Sequence, residues 1–205
     1  MADLALINLA LGHLGEPSLR SVDLTEDPPS PTAAKVLPIY GPTAKVAQSK
    51  APWLCCLQWA TLSVAADIPG DWKHPYVFRL PDGALQLWEL EGVPVGSAWA
   101  RGVHIAPGGE TVRVLRAQVR GPLQVSYTRA TPEAGWDDAL RDAFAYELAG
   151  RIAGPLQADA ELGAAMRRAA KAAFAEALGS EAGQDGGQVP SFGMGPVAAA
   201  RAQAL

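Results

Sequence analysis

Apolar positions recur at helical spacing at both ends of the chain and alternate in its middle. Leu4, Ile7, Leu11 and Leu14 fall on one helical face. Asp3 can cap that helix, because a carboxylate accepts the orphan N–H groups of a first turn. Gly15 and Glu16-Pro17 end it. A polar connector, Asp27-Pro28-Pro29-Ser30-Pro31, leads to a second helix carrying Ala33, Val36, Leu37 and Tyr40. Pro38 and Pro42 each remove a backbone donor there, which predicts a kink or a split. Helical spacing returns with Trp136, Leu140, Phe144, Leu148 and Ile152, bounded by Thr131-Pro132 and Gly154-Pro155. Asp137, Asp138 and Asp142 suit the positive N-terminal end of that helix. Leu162, Met166, Ala170, Phe174 and Leu178 predict a fourth, with Arg167, Arg168 and Lys171 on its wet face. The last two helices are expected to pair as an antiparallel hairpin about Gly154-Pro155.

Between Trp59 and Thr128 the period is two. Tyr76, Phe78 and Leu80 alternate with Val77 and Arg79, and Pro81-Asp82-Gly83 turns the chain into a strand with Leu85 and Leu87. Ala106-Pro107-Gly108-Gly109 reads as a second hairpin turn between Ile105 and Val112. The alternation slips phase between Val114 and Leu115, which predicts a bulge or a strand end. Leu123, Val125 and Tyr127 are expected to face inward, opposite Gln124, Ser126 and Thr128. From Gly179 onward Gly, Gln, Ser and Pro prevail, with too little apolar surface to order the segment unaided. The pattern therefore predicts an α+β fold. A helical bundle built from N- and C-terminal helices (1–58 and 131–179) carries an inserted antiparallel β lobe (59–130) and an extended C-terminal tail (180–205).

Composition narrows the class. The 205 residues suit one large domain or two lobes sharing a core. With 49% hydrophobic and 19% charged residues, the composition disfavours bulk disorder. A net charge of -4 disfavours a strongly basic nucleic-acid binder. Cys55 and Cys56 are adjacent, so they form neither a disulfide framework nor a zinc-ligand spacing, and a reducing compartment fits them. The apolar run from Leu4 to Leu14 is too short to span a bilayer, and Asp3 stands where a signal peptide needs positive charge. The expectation is a soluble protein made in a cytoplasm, with no membrane partner.

Candidate chemistry is sparse. None of His13, His74 and His104 follows a Gly-x-Ser-x-Gly elbow. The cysteines lie in Trp-Leu-Cys-Cys-Leu, an apolar setting that blunts a thiol, and read as buried small hydrophobes. Asp71 and His74 flank Trp72 without a third metal ligand, so neither metal nor cofactor is expected. Gly108-Gly109 sits between strands and is no phosphate cradle. The six tryptophans are the remaining signal. Trp59 and Trp136 read as core, whereas Trp72, Trp88 and Trp99 suit core and interface equally. Two functional alternatives rest on this lobe. One is a small hydrolase or transferase using Asp71 and His74 in a strand-lobe pocket; the other is a ligand-binding module whose Trp-rich lobe grips a peptide or sugar.

The run Leu6-Ile7-Asn8-Leu9-Ala10-Leu11-Gly12-His13-Leu14-Gly15 resembles the opening helix of phage head-to-tail adaptors of the tail tubular protein A family. The likeness continues in order through Ala33 to Tyr40, Trp53-Leu54 and Trp59-Ala60. It then passes through Tyr76-Val77-Phe78-Arg79-Leu80-Pro81-Asp82, and through Tyr127 followed by Trp136, Ala139, Leu140, Leu148 and Ala149. Gly83 and the cysteine pair depart from the family pattern. The resemblance implies a non-enzymatic virion protein at the head–tail junction, made in the host cytoplasm. It would form a ring, usually of twelve copies, between the portal protein and a downstream tail or nozzle protein, and DNA would pass through the lumen without sequence-specific binding. A C-terminal extension would dock on the portal, here through Phe192, Met194 and Arg201. Subunit contacts would draw on Trp72, Trp88, Trp99, Ala143, Ala149, Ala169 and Ala173. An acidic wall would keep transiting DNA from sticking, since phosphates find few cations there.

Overall fold

Four helices and two small antiparallel sheets make up this α+β protein, whose computed structural model describes residues 2–23, 25, 30–91, 99–157 and 159–184. The helices are α1 (Leu4–His13), α2 (Pro31–Ser49), α3 (Asp138–Gln157) and α4 (Ala160–Gln184). The strands are β1 (Leu57–Leu62), β2 (Tyr76–Arg79), β3 (Ala84–Glu91), β4 (Trp99–Ile105), β5 (Thr111–Ala117) and β6 (Leu123–Arg129). A carboxylate or hydroxyl opens every helix. Asp3 accepts from Ala5 N–H at 2.8 Å, Ser30 from Ala33 at 3.3 Å, Asp137 from Leu140 at 2.7 Å and Asp159 from Leu162 at 2.8 Å.

The prolines break fewer helices than their chemistry predicts. Helix α2 runs unbroken through Pro38 and Pro42. Both prolines, and the Ala34 and Pro38 carbonyls that they leave without a helical donor, belong to exposed residues, so water can supply the missing bonds. Exposed Pro155 likewise sits inside α3, and the chain leaves that helix only after Gln157. The break expected at Gly154-Pro155 therefore falls three residues later. Helix α4 also outlasts its expected end and reaches Gln184.

Helix α3 packs against α1, α2 and α4. Its Leu140, Phe144, Leu148 and Ile152 are buried as their spacing predicts, but so are Ala143, Ala145, Ala149 and Ala153 on its other faces. Tyr40 and Trp136 both set their rings edge-on to Phe144, at 5.3 and 5.2 Å between centroids. Fully buried Trp53 donates its indole N–H to the Ala47 carbonyl at 3.0 Å and lies 5.7 Å from the Phe174 ring. Gly150 of α3 and Gly163 of α4 meet in a tight backbone contact. A Cβ on Gly150 would stand 2.7 Å from Arg167 Cγ and 3.2 Å from the Gly163 carbonyl oxygen. The Arg167 guanidinium donates to the Gly150 carbonyl at 2.9 Å across this contact.

One charge is enclosed with the helices. The Glu147 side chain is 8% exposed and accepts from Lys50 Nζ and from Arg151 Nε, each at 2.9 Å. Lys50 also stands 4.4 Å above the Phe174 ring, so one ammonium ties α2 to α3 and α4. Burial works against the Glu147 carboxylate, but the hydrogen bonds and charges of Lys50 and Arg151 outweigh it and hold its pKa below the ordinary glutamate value.

The two sheets have the orders β1-β6-β3 and β2-β5-β4. They share one apolar layer, in which Leu62, Leu87, Leu123, Val125 and Tyr127 of the first sheet meet Phe78, Leu115 and Ala117 of the second. Leu123, Val125 and Tyr127 thus face inward as expected. At Val114 and Leu115 there is no bulge, since β5 pairs in unbroken register with β2 and β4. Both residues are buried because the second sheet is covered on both faces. Leu115 meets the first sheet, and Val114 packs with Val77 and Ile68 of the neighbouring loop. The bulges lie in β3, between Ala84 and Gln86 and between Leu87 and Glu89. Each inserts one residue, so the inward positions become Ala84, Leu87 and Leu90, three apart, and Leu85 is displaced from the alternation. Gly83, at φ 75°, makes the turn into β3 that a side chain would strain.

Two substitutions test the helical core. Gly150→Ala is expected to cost about 1–3 kcal/mol in urea unfolding, because the contact has no room for a methyl group. Glu147→Gln is expected to cost about 2 kcal/mol at neutral pH. A carboxyl whose native pKa is depressed stabilises fully above the unfolded value, near 4.3, and ceases to do so as pH falls through the native value. The gap between wild type and Glu147→Gln should therefore close in acid.

Candidate functional site

The outer face of the first sheet, opposite the shared apolar layer, carries a groove that runs across its three strands. Antiparallel register sets Trp59 of β1 beside Ser126 of β6, and Ser126 beside Glu89 of β3. The next row is Thr61, Gln124 and Glu91. The groove holds about 190 Å³, below the roughly 300 Å³ at which small-molecule pockets begin. Its wall on β1 is the Trp59 indole, 71% exposed. Its wall on β3 is the carboxylate pair, and its floor is Ser126, 7% exposed. Among the described residues neither Glu89 nor Glu91 pairs with a cation, and the Ser126 hydroxyl makes no side-chain hydrogen bond. The second bulge in β3 releases Trp88 from the alternation. Its indole N–H donates to the Thr128 hydroxyl at 2.7 Å, and that hydroxyl reaches the Ala51 carbonyl at 3.5 Å. Trp88 thereby links the sheet to the loop that follows α2.

A second hollow, of about 520 Å³, lies between α2 and residues 130–133, with Tyr40, Lys45, Gln48 and Glu133 on its walls. It is braced by polar bonds. Gln48 Oε1 accepts from Thr131 N–H at 2.8 Å, and the Tyr40 hydroxyl accepts from Asp3 N–H at 3.2 Å. Burial, with a smaller contribution from Glu133, pushes the Tyr40 hydroxyl well above the usual phenol range, so it stays neutral.

The structure redistributes the residues singled out from the sequence. Trp136 is buried as expected, but Trp59 is not core: it lies 71% exposed on the outer face of the first sheet, away from the Thr128 end that Trp88 and Ala51 cover. Trp72 is 94% exposed, Trp99 is 42% exposed and Trp88 is half-buried. Ala143 and Ala149 have no accessible surface: α3 buries them inside its own chain, so they cannot meet a neighbour. Ala169 and Ala173 are half-buried on α4, with Ala173 packed against the helical core. Phe192, Met194 and Arg201 lie outside the described residues. Asp71 and His74 do come together, with Nδ1 3.4 Å from the carboxylate. The Asp71 carboxylate is occupied by the backbone N–H groups of His74, at 2.6 Å, and Lys73, at 2.9 Å. Those bonds, the His74 one above all, hold its pKa below the ordinary aspartate value, so Asp71 acts as a loop cap that stays ionised. Cys56 is buried and Cys55 half-buried, their sulfurs 3.6 Å apart. The hydrogen bond between them, then burial, push the Cys55 thiol up, away from reactivity.

No model of a known protein family matches the chain, and no curated protein is significantly similar to it. Among the described residues no group of three His, Cys, Asp or Glu side chains could hold a metal ion, and no helix is long and apolar enough to cross a membrane. The groove combines residues 30 and more positions apart along the chain, and only the pairing of both β1 and β3 with β6 brings them together. Glu89 and Glu91, two apart in a strand, were its visible part in the sequence.

The contrast between two tryptophans tests these placements. Trp53→Ala is expected to lose about 3–5 kcal/mol in denaturant unfolding, whereas Trp59→Ala should stay within about 0.5 kcal/mol of wild type.

Proposed function

We infer that the protein is a structural component of a phage virion, a head-to-tail adaptor that assembles as a ring beneath the portal. In this reading the N- and C-terminal helices form the bundle of each subunit, and the β lobe meets neighbouring subunits and the next tail component. The tail, with Phe192, Met194 and Arg201, docks on the portal, and DNA passes through an acidic lumen. The order of motifs from Leu6 to Ala149 supports it. So does one structural observation, the open edge of the second sheet.

That edge is β4. Antiparallel register sets Trp99, Arg101, Val103 and Ile105 on the same side as Leu115 and Ala117, the side that elsewhere faces the shared apolar layer. The layer stops short of them: Val103 is 55% exposed and Ile105 68%. Among the described residues no strand pairs with the outer edge of β4. An apolar, unpaired edge strand is a liability in a solitary protein, and a second chain removes it. In a cyclic ring each subunit contributes such a patch to a different patch on its neighbour.

Native mass spectrometry of the full chain with its cognate portal protein should show a ring complex. Replacing Val103 and Ile105 together by Lys should weaken assembly at least about tenfold. The unfolding free energy should stay within about 0.5 kcal/mol of wild type, since both side chains are exposed. A strict monomer with no affinity for the portal overturns the reading.

A further inference from the structure

The geometry points to a second use of the β lobe: the groove between Trp59 and the Glu89/Glu91 pair is a docking site for an arginine side chain carried on an extended segment of another protein. Ring assembly is not needed for this inference, which concerns a different sheet from the β4 edge.

Three observations converge on a cation. Glu89 and Glu91 project from β3 toward the groove with no compensating cation among the described residues. Trp59 presents its indole across the sheet from them, and an indole face attracts cations. Ser126 lies at the floor between them, 7% exposed as a residue, and its hydroxyl opens into the groove without a partner among the described residues. A hydroxyl can accept an N–H, so wall, floor and opposite wall all favour a donor that carries positive charge.

Arginine fits better than lysine. A planar guanidinium can lie on the indole while its N–H groups fork toward carboxylate oxygens, and it loses less hydration than an ammonium when it does so. The volume of about 190 Å³ suits one long side chain. β1 is an edge strand of its sheet, so the backbone of an extended segment can run beside it while one side chain reaches over Trp59. Neighbouring positions of the incoming segment should be small and uncharged, because the groove is shallow and offers them no pocket.

The test uses the full chain labelled with 5-fluorotryptophan and followed by fluorine NMR, with the Trp59 resonance assigned from Trp59→Phe. The probe is a capped Ala-Ala-Arg-Ala-Ala peptide, and its control replaces arginine by neutral citrulline. The arginine peptide should shift the Trp59 signal saturably, and the citrulline peptide should bind at least about tenfold more weakly. The double variant Glu89→Gln, Glu91→Gln should show the same loss and should keep its other five tryptophan signals in place. Equal responses to the two peptides, or a response centred on a different tryptophan, would overturn the assignment. So would a Trp59 signal that moves in Arg201→Gln before any peptide is added, because the occupant would then be the chain's own terminus and not a partner.

Discussion

The enclosure of α3 is the constraint on which the rest of the molecule depends. A helix buried on one stripe needs a single neighbour. α3 buries Leu140, Phe144, Leu148 and Ile152 on one side and Ala143, Ala145, Ala149 and Gly150 around the remainder, so it needs neighbours on several sides. α4 can supply one of them from the adjacent sequence. The others, α1 and α2, come from the opposite end of the chain, and recruiting them forces residues 57–129 to leave and re-enter the helical layer at nearby points. Arg129 N–H bonds to the Cys56 carbonyl at 2.9 Å, and the exit and the return are thereby stitched together. Small residues set how closely the helices approach, and Glu147 fixes their rotation. Arg151 lies on the same helix and travels with Glu147, so a register shift of α3 would cost the carboxylate its Lys50 partner and leave a buried charge half-paired.

The β lobe follows a different logic. Its two sheets are three strands wide and share a single apolar layer; the outer face of the first sheet is covered at Thr128, which is fully buried beside Trp88 and Ala51, and opens at Trp59, while the loop around Ile68 covers the outer face of the second. Bulges at Leu85 and Trp88 bend β3 and change which residues it sends outward. Without them strict alternation would carry Ala84, Gln86 and Trp88 to one face and place Leu87 and Glu89 together on the other. The irregularity keeps Leu87 and Leu90 inside and delivers Glu89 and Glu91 to the groove. The same local distortion frees Trp88 to reach Thr128 and brace the lobe against the helices.

Where burial follows from a short repeat, the residues alone disclosed it. The i+4 ladder of α3, the Ala170 and Phe174 step of α4, the inward triplet Leu123, Val125 and Tyr127, and the turn at Gly83 are all determined within a few residues of chain. The misreadings share one physical origin, the presence or absence of a second layer over a face. Val114 and Leu115 look out of phase until the loop around Ile68 is seen to cover the far side of β5. Trp59 looks like core until its stretch of the outer face is seen to be open, with the indole 71% exposed. Pro38, Pro42 and Pro155 do not split their helices, and each lies on an exposed face, where water can supply what the missing donor leaves. The groove was illegible for a stronger reason: it depends on the register of two strand pairs, and only its β3 half is written within one segment.

In the proposed ring the β4 edge and the groove would serve different contacts. A twofold contact joins one patch to itself, and it suits a self-complementary surface. The β4 edge is apolar, with its Arg101 guanidinium donating to Gln86 Oε1 at 2.8 Å, while the groove is aromatic and acidic. Under the proposals above, β4 would pair with another apolar strand edge, and the groove would take a cation on a slender segment. Two unlike patches on different sheets of one small lobe are what a subunit needs when it must hold a neighbouring copy on one side and a different protein on another.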